Sequence, residues 1–328
     1  MKLKILKTAT ILFGIAALTG IGVSAQAKDA DPPEAAAIAN QVRQLRYFTQ
    51  PAGVKGSATP YGNNVKAGHY VQAGDAKIYY EVYGKGKPLF VLHGGGVGSS
   101  YELGRLLDLL RKDFKVVAVT TRGHGRSEIG HEPLTYEQKA QDVLAVLKEI
   151  TEEPVILFGF SDGAYTSYKV AAMYPDRVER VVAIGAGTLQ PGYFPPDMKV
   201  EDLEKADKAF MDQLRKLMPE PDRLQEFMSG YMAFWNKMRV DEDQLAQIKC
   251  PVLLIAGDED DHAPIATMLE AHQLIPNSRL CIVPKAWHTA FIDNFEVTWS
   301  AMNQFLNTNY KGLLPSKKLE YNSRYNKG

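Results

Sequence analysis

The 328-residue chain carries 38 Lys+Arg against 38 Asp+Glu, so it has no formal net charge, and no basic patch argues for a nucleic-acid partner. Its hydrophobic content of 45% is ordinary for a globular protein. Two cysteines, Cys250 and Cys281, are too few for a disulfide framework and adjoin predicted strands, where a thiol behaves as a small hydrophobe; an oxidising compartment would still let them pair.

Residues 1–27 read as a leader. Three lysines precede Lys7 inclusive, Ile11 to Val23 is apolar, and Ser24-Ala25-Gln26-Ala27 offers small residues for cleavage after Ala27. A secreted or periplasmic protein is the expectation, and beyond residue 27 no apolar stretch is long enough to span a bilayer. Residues 28–68 read as an N-terminal extension, an amphipathic helix at Pro32 to Phe48 followed by a linker rich in Gly, Pro and Asn.

From His69 the pattern changes. Strands are predicted at His69 to Gln72, Ile78 to Tyr83 and Pro88 to Leu92. Helix Tyr101 to Arg111, strand Lys115 to Val119, helix Tyr136 to Ile150, strand Pro154 to Phe158, helix Ala164 to Tyr174 and strand Val178 to Ile184 follow. This alternation predicts an α/β fold with a mainly parallel sheet covered by helices on both faces. The rhythm breaks over residues 190–247, which hold charged helical stretches and the aromatic run FMSGYMAFWNKM at 227–238. It resumes with strand Pro251 to Ala256, helix Pro264 to Ile275, strand Arg279 to Val283 and helix Phe291 to Leu306. The domain reading is therefore a core over 69–189 and 248–309, a helical insertion at 190–247, and a basic tail at 310–328.

The stretch VILFGFSDGAY (155–165) runs from a strand into a glycine-flanked serine and then a helix. Gly-x-Ser-x-Gly alone is more often a turn with a helix N-cap than a nucleophile. At a sharp strand-to-helix turn it instead exposes a nucleophilic hydroxyl. A hydroxyl needs a base at neutral pH, and ligands in open α/β sheets bind beyond the carboxyl ends of strands. Of the seven histidines, His69 starts a strand, His131 lies in a long loop and His272 sits in a helix; His288, just after the last strand, is best placed. The loop after the preceding strand, LLIAGDEDDHAP, supplies Asp258, Asp260 and Asp261 as acids to orient it. VLHGGGVGSS (91–100) is glycine-rich enough for backbone N–H groups to approach an oxyanion, and lacks the Gly-Lys-Ser/Thr ending of a P-loop.

Taken in order, HGGG, TRGHGRS, GFSDG, GDEDD and WH resemble the α/β-hydrolase superfamily over about His69 to Leu306. The resemblance implies an α/β-hydrolase fold: a mostly parallel eight-stranded sheet flanked by helices, with a helical cap insertion. It implies Ser161 as nucleophile, His288 as base and Asp260 as acid, because Asp260 fills the last place of G-x-x-D with Pro264 four residues on. It places the oxyanion donors on the backbone N–H groups of Gly95 and Asp162, with Gly96 contributing if the loop is set as in HGGG-type esterases. Arg122 to Ser127, His93 and His124 fall in structural turns. Thr120-Thr121 departs from the family pattern by replacing an aspartate two residues before the arginine.

In the insertion, Phe227, Tyr231, Met232, Phe234 and Trp235 either line an apolar substrate pocket or form the cap's own core, since their spacing is near the helical period. The Asp162 carboxylate either caps its helix or reads a cationic group on the substrate. The expected activity is hydrolysis of an ester, thioester, lactone or amide of a small acyl substrate, with no cofactor and no metal. C–C bond hydrolysis, acyl transfer and a non-catalytic binder on the same scaffold are the alternatives.

Overall fold

The computed structural model describes residues 45–310. The leader at 1–27, most of the expected helix at Pro32 to Phe48, and the basic tail from Lys311 onward lie outside the described residues. In chain order the elements are β1 Gly68–Ala73, β2 Ala76–Tyr83, β3 Pro88–Leu92, α1 Gly104–Leu110, β4 Lys115–Val119, α2 Tyr136–Ile150, β5 Val155–Phe160, α3 Asp162–Met173 and β6 Val178–Ile184. Next come α4 Val200–Leu217, α5 Leu224–Lys237, α6 Glu242–Leu245, β7 Val252–Gly257, α7 Ile265–Leu274, β8 Ser278–Val283, α8 Ala290–Asp293 and α9 Phe295–Asn307.

The eight strands form one sheet in the order β1-β2-β4-β3-β5-β6-β7-β8. β2 pairs antiparallel with both β1 and β4, and every later pairing is parallel. Parallel strands with helices on both faces lose solvent on both sides, which is why β5 (VILFGF) and β7 (VLLIAG) are buried at every position. Alternation along β5 divides its side chains: Val155 and Leu157 join the core on one face, Ile156, Phe158 and Phe160 the core on the other. On the first face α2 contributes Tyr136, Ala140, Val143 and Leu147 at helical spacing, after Thr135 caps it by accepting the Gln138 N–H at 3.0 Å. On the second, α9 contributes Phe295, Met302, Phe305 and Leu306.

Between β6 and β7 the chain leaves the sheet to form α4, α5 and α6. The excursion is tied at its base, where Leu189 and Val240 exchange backbone hydrogen bonds of 2.9 Å each. α4 is interrupted at Asp207 (φ −152°, ψ 78°), whose buried carboxylate accepts the Phe210 N–H at 3.0 Å and so restarts the helix. The same carboxylate takes the Arg46 guanidinium at 2.8 Å and the Thr49 N–H at 2.9 Å. Among the described residues no helix is long and apolar enough to cross a membrane.

Three expectations are corrected. Part of the expected linker, residues 57–64, is anchored to the core, while residues 51–56 stay exposed. Tyr61 is buried and donates to Asp108 at 2.9 Å, while buried Glu81 accepts the Gly62 and Asn64 N–H groups at 2.9 and 2.6 Å. Composition rich in Gly and Asn concealed this because one buried aromatic, Tyr61, and backbone donors to Glu81 make the attachment. The last helix is two: Asn294 (φ −140°, ψ 74°) breaks it between α8 and α9. Finally, β5 runs to Phe160 and α3 begins at Asp162, so Ser161 is the entire turn.

Candidate active site

That one-residue turn is possible because of what flanks it. A Cβ on Gly159 would overlap the Gly163 carbonyl, and one on Gly163 would lie 2.6 Å from the His93 carbonyl oxygen. Strand, helix and the loop after β3 therefore meet backbone to backbone. Ser161 itself sits at φ 51°, ψ −118°, a conformation that costs a non-glycine residue about 1–3 kcal/mol. The strain holds the residue half-exposed at the carboxyl end of β5, with its backbone N–H donating to the Ile184 carbonyl at 2.7 Å.

β7 and β8 place the acid and the imidazole. His288 Nδ1 lies 3.0 and 3.1 Å from the two Asp260 oxygens, and Asp260 Oδ1 also accepts the His262 and Ala263 N–H groups at 2.8 and 2.9 Å. Burial pushes the Asp260 carboxyl up, but the His288 bond and charge and the two N–H donors outweigh it and hold the acid below its ordinary value. An ionised acceptor on Nδ1 fixes the proton there and leaves Nε2 with a lone pair, as a general base requires. The ring stands beside the turn: its centroid is 5.0 Å from that of Phe160, the residue before Ser161. Gly185, at φ 66°, makes room, since a Cβ there would be 2.8 Å from His288 Cε1. Asp258 is turned to the Ala286 N–H and Asp261 pairs with His262, so of the acids left open by sequence, Asp260 alone reaches His288.

The glycine-rich loop is braced from beneath. Buried His93 accepts the Thr121 N–H on Nε2 at 3.1 Å and donates from Nδ1 to the Gly94 carbonyl at 2.6 Å. Burial pushes it down to about 4, so it is a neutral strut. Thr120, two residues before Arg122 where the family pattern has an aspartate, is tied through its backbone, its carbonyl accepting the Ser127 hydroxyl at 2.6 Å. Arg122 is fully buried on a bidentate Asp142 contact of 2.9 and 2.8 Å, as a structural turn demands. Glu102, which sequence reasoning missed, accepts the Gly94 and Ser99 N–H groups at 3.4 and 3.3 Å. Behind the loop, Ser99, Thr120, His124, Phe210 and Leu214 line a cavity of ≈ 30 Å³, room for a water or two but not for an acyl substrate.

Neither expectation for the Asp162 side chain fits. Its carboxylate neither caps α3 nor faces a pocket mouth: it is buried and takes Lys139 Nζ at 2.6 Å and the Tyr231 hydroxyl at 2.7 Å on Oδ2, and Trp235 Nε1 at 3.2 Å on Oδ1. Sequence could not show this, because Lys139 reads as an exposed position of a charged helix. Of the aromatic run, Phe227, Tyr231, Met232 and Phe234 are buried in packing of α5 on the core; Phe227 meets His124 at 5.2 Å and Phe234 meets Tyr136 at 5.0 Å. Trp235 is the one aromatic side chain of the run that keeps partial exposure.

Donor atoms of Asp260, His262 and His288 lie within 4.8 Å of one another, the one such group among the described residues. The two rings are stacked at 4.6 Å and 22°, so their in-plane lone pairs run side by side and do not converge on one ion. Cys250 and Cys281 are free thiols; burial pushes Cys250 up to about 12 and raises Cys281.

A serine on a strained strand-to-helix turn, an Asp–His pair from the loops after the last two strands and a braced glycine loop define the class, a hydrolase on a doubly covered, mostly parallel sheet. The chain belongs to the alpha/beta hydrolase family, whose model matches residues 89–300. It is 27% identical over 268 residues to AB hydrolase superfamily protein YisY of Bacillus subtilis, covering 74% of this chain and 100% of that one. It is 26% identical over 264 residues to serine hydrolase BPHL of Homo sapiens, covering 73% and 87%. An enol-lactonase from Burkholderia xenovorans shares the fold at a TM-score of 0.60 and 22% identity, over 73% of this chain and 100% of that one.

Proposed function

We propose that the protein hydrolyses an ester, thioester, lactone or amide of a small molecule through an acyl-enzyme on Ser161. The observation that carries this reading is the His288 Nδ1 contact with buried Asp260 at 3.0 Å, one residue's ring away from the strained serine turn. His288 Nε2 takes the Ser161 proton as Oγ attacks the acyl carbon. The tetrahedral oxyanion is held by the backbone N–H groups of Gly95 and Asp162, the latter among the first N–H groups of α3 that have no partner within the helix. His288 then protonates the leaving group, and water attacks the acyl-enzyme by the reverse route. The similarity to human BPHL, a serine hydrolase, supports the nucleophile. Secretion is part of the proposal and rests on the lysines, apolar run and small residues of 1–27.

Acyl esters of varied chain length and charge, offered to wild type and Ser161→Ala, test the reading. Turnover by the wild type that disappears in Ser161→Ala is expected. Turnover that survives the substitution in full would refute the assignment.

A further inference from the structure

Two residues of the cap helix touch both of the residues whose backbone N–H groups are assigned above to the oxyanion hole, Gly95 at its backbone and Asp162 at its carboxylate. A Cβ on Gly95 would be 2.5 Å from Trp235 Cζ2 and 2.7 Å from Tyr231 Cε1, so both rings lie directly on the Gly95 backbone. The same two side chains donate to the carboxylate of Asp162, Tyr231 from its hydroxyl at 2.7 Å and Trp235 from Nε1 at 3.2 Å. The rings are themselves locked edge to face, with centroids 4.8 Å apart and planes at 87°. Lys139 closes the arrangement: Nζ donates to the Tyr231 oxygen at 2.5 Å and lies 2.6 Å from Asp162 Oδ2. Tyr231 thereby accepts from the lysine and donates to the carboxylate, so each polar atom has one consistent role.

A carboxylate is expensive to bury and would ordinarily be absent at a position whose contribution is its backbone N–H. Here it has a use. It is a handle on the residue after Ser161, held by three donors, two of them from a helix that also bears on Gly95. We propose that Tyr231 and Trp235 are positioning residues that fix the separation of the Gly95 and Asp162 N–H groups, with Lys139 neutralising the carboxylate they hold. The cap then helps shape the oxyanion hole as well as covering it. This rests on the hydrolase reading above. Donors aimed at developing charge act only if they are already in place, and a small misplacement lowers the rate of the chemical step more than ground-state binding.

The test uses the full chain with Tyr231→Phe, which keeps the ring on Gly95 but frees Asp162 of the hydroxyl, and Trp235→Phe, which removes the indole N–H. Met228→Ala, a buried position of the same helix whose side chain has no donor to offer Asp162, serves as the packing control. Each is assayed well below its Tm for kcat and KM on a nitrophenyl acyl ester and for affinity towards a trifluoromethyl ketone, whose adduct with serine carries an oxyanion. The expected result is a kcat about tenfold lower in both aromatic variants, KM within about twofold, and ketone affinity falling in step with kcat/KM. Met228→Ala should lose Tm alone. Aromatic variants that keep wild-type kcat and ketone affinity would overturn the inference, as would losses that follow Tm across all three variants. A wild type that neither hydrolyses esters nor reacts with a fluorophosphonate would instead defeat the hydrolase reading and the inference with it.

Discussion

Lys139 Nζ lies 2.6 Å from Asp162 Oδ2, and both side chains are withdrawn from solvent. The carboxylate beside the nucleophile is therefore already neutralised from α2 and is not available to recognise a charged substrate. Amino esters and their neutral isosteres should be turned over in the same ratio by wild type and Asp162→Asn, within about twofold. A selective loss of amino-ester activity in the variant would restore the recognition role.

The pair also makes a stability prediction. Removing one member of a buried ion pair strands the other, at a cost of about 3–5 kcal/mol, whereas removing both can be close to neutral. Lys139→Met should lower the urea midpoint sharply, and Lys139→Met with Asp162→Asn should recover most of it. Additive losses in the double variant would mean the two charges are not coupled.

Asp260 is held by two backbone N–H groups as well as by His288, so Asp260→Asn should fold. The asparagine oxygen would keep those two donors, which turns its NH₂ towards His288 Nδ1 and moves the imidazole proton to Nε2. A base protonated on the working nitrogen cannot accept the serine proton, and kcat should fall by about 10⁴. Steady-state rates beside circular dichroism separate this from misfolding.

At Gly185 two effects combine. Its φ of 66° disfavours any side chain, and a methyl would press on His288 Cε1. Gly185→Ala should reduce kcat by at least about tenfold through displacement of the imidazole. A wild-type rate in this variant would show that His288 works from another position.

Much of this site was legible in the sequence because its parts follow the chain. A serine between glycines, an acid two strands later and a histidine after the last strand stay in order on a sheet built by alternation, so Ser161 and His288 could be named from linear position, while Asp258, Asp260 and Asp261 stayed open until the family resemblance favoured Asp260. What could not be read are contacts across elements. Lys139 sits in a charged helix and gives no sign that it faces inward, and Glu102, a first-turn acid that accepts the Ser99 N–H, gives no sign that it also takes the Gly94 N–H. The aromatic run at 227–238 has helical spacing whether it faces substrate or core. Only the approach of α5 to Asp162 and Gly95 distinguishes them.

Acid should destabilise the fold through its buried histidines. His93 is held neutral by burial at about 4 against an ordinary value of 6.5, and His124 is likewise well below it. Between those two values the unfolded chain binds protons that the folded chain refuses. The stabilisation is thus complete above pH 6.5 and is lost as pH falls towards 4, by up to about 3 kcal/mol for His93. Urea midpoints at pH 7 and pH 4.5 measure it, and His93→Asn should show a shallower slope; equal slopes would remove His93 as the cause.

Covalent labelling tests most directly whether Ser161 is an activated nucleophile. Mass spectrometry of the folded protein after treatment with a fluorophosphonate should find one adduct, on the peptide containing Ser161, with labelling slowed by orders of magnitude in His288→Ala. Folded wild-type protein that takes up no label, or takes it up equally fast without His288, would contradict the account.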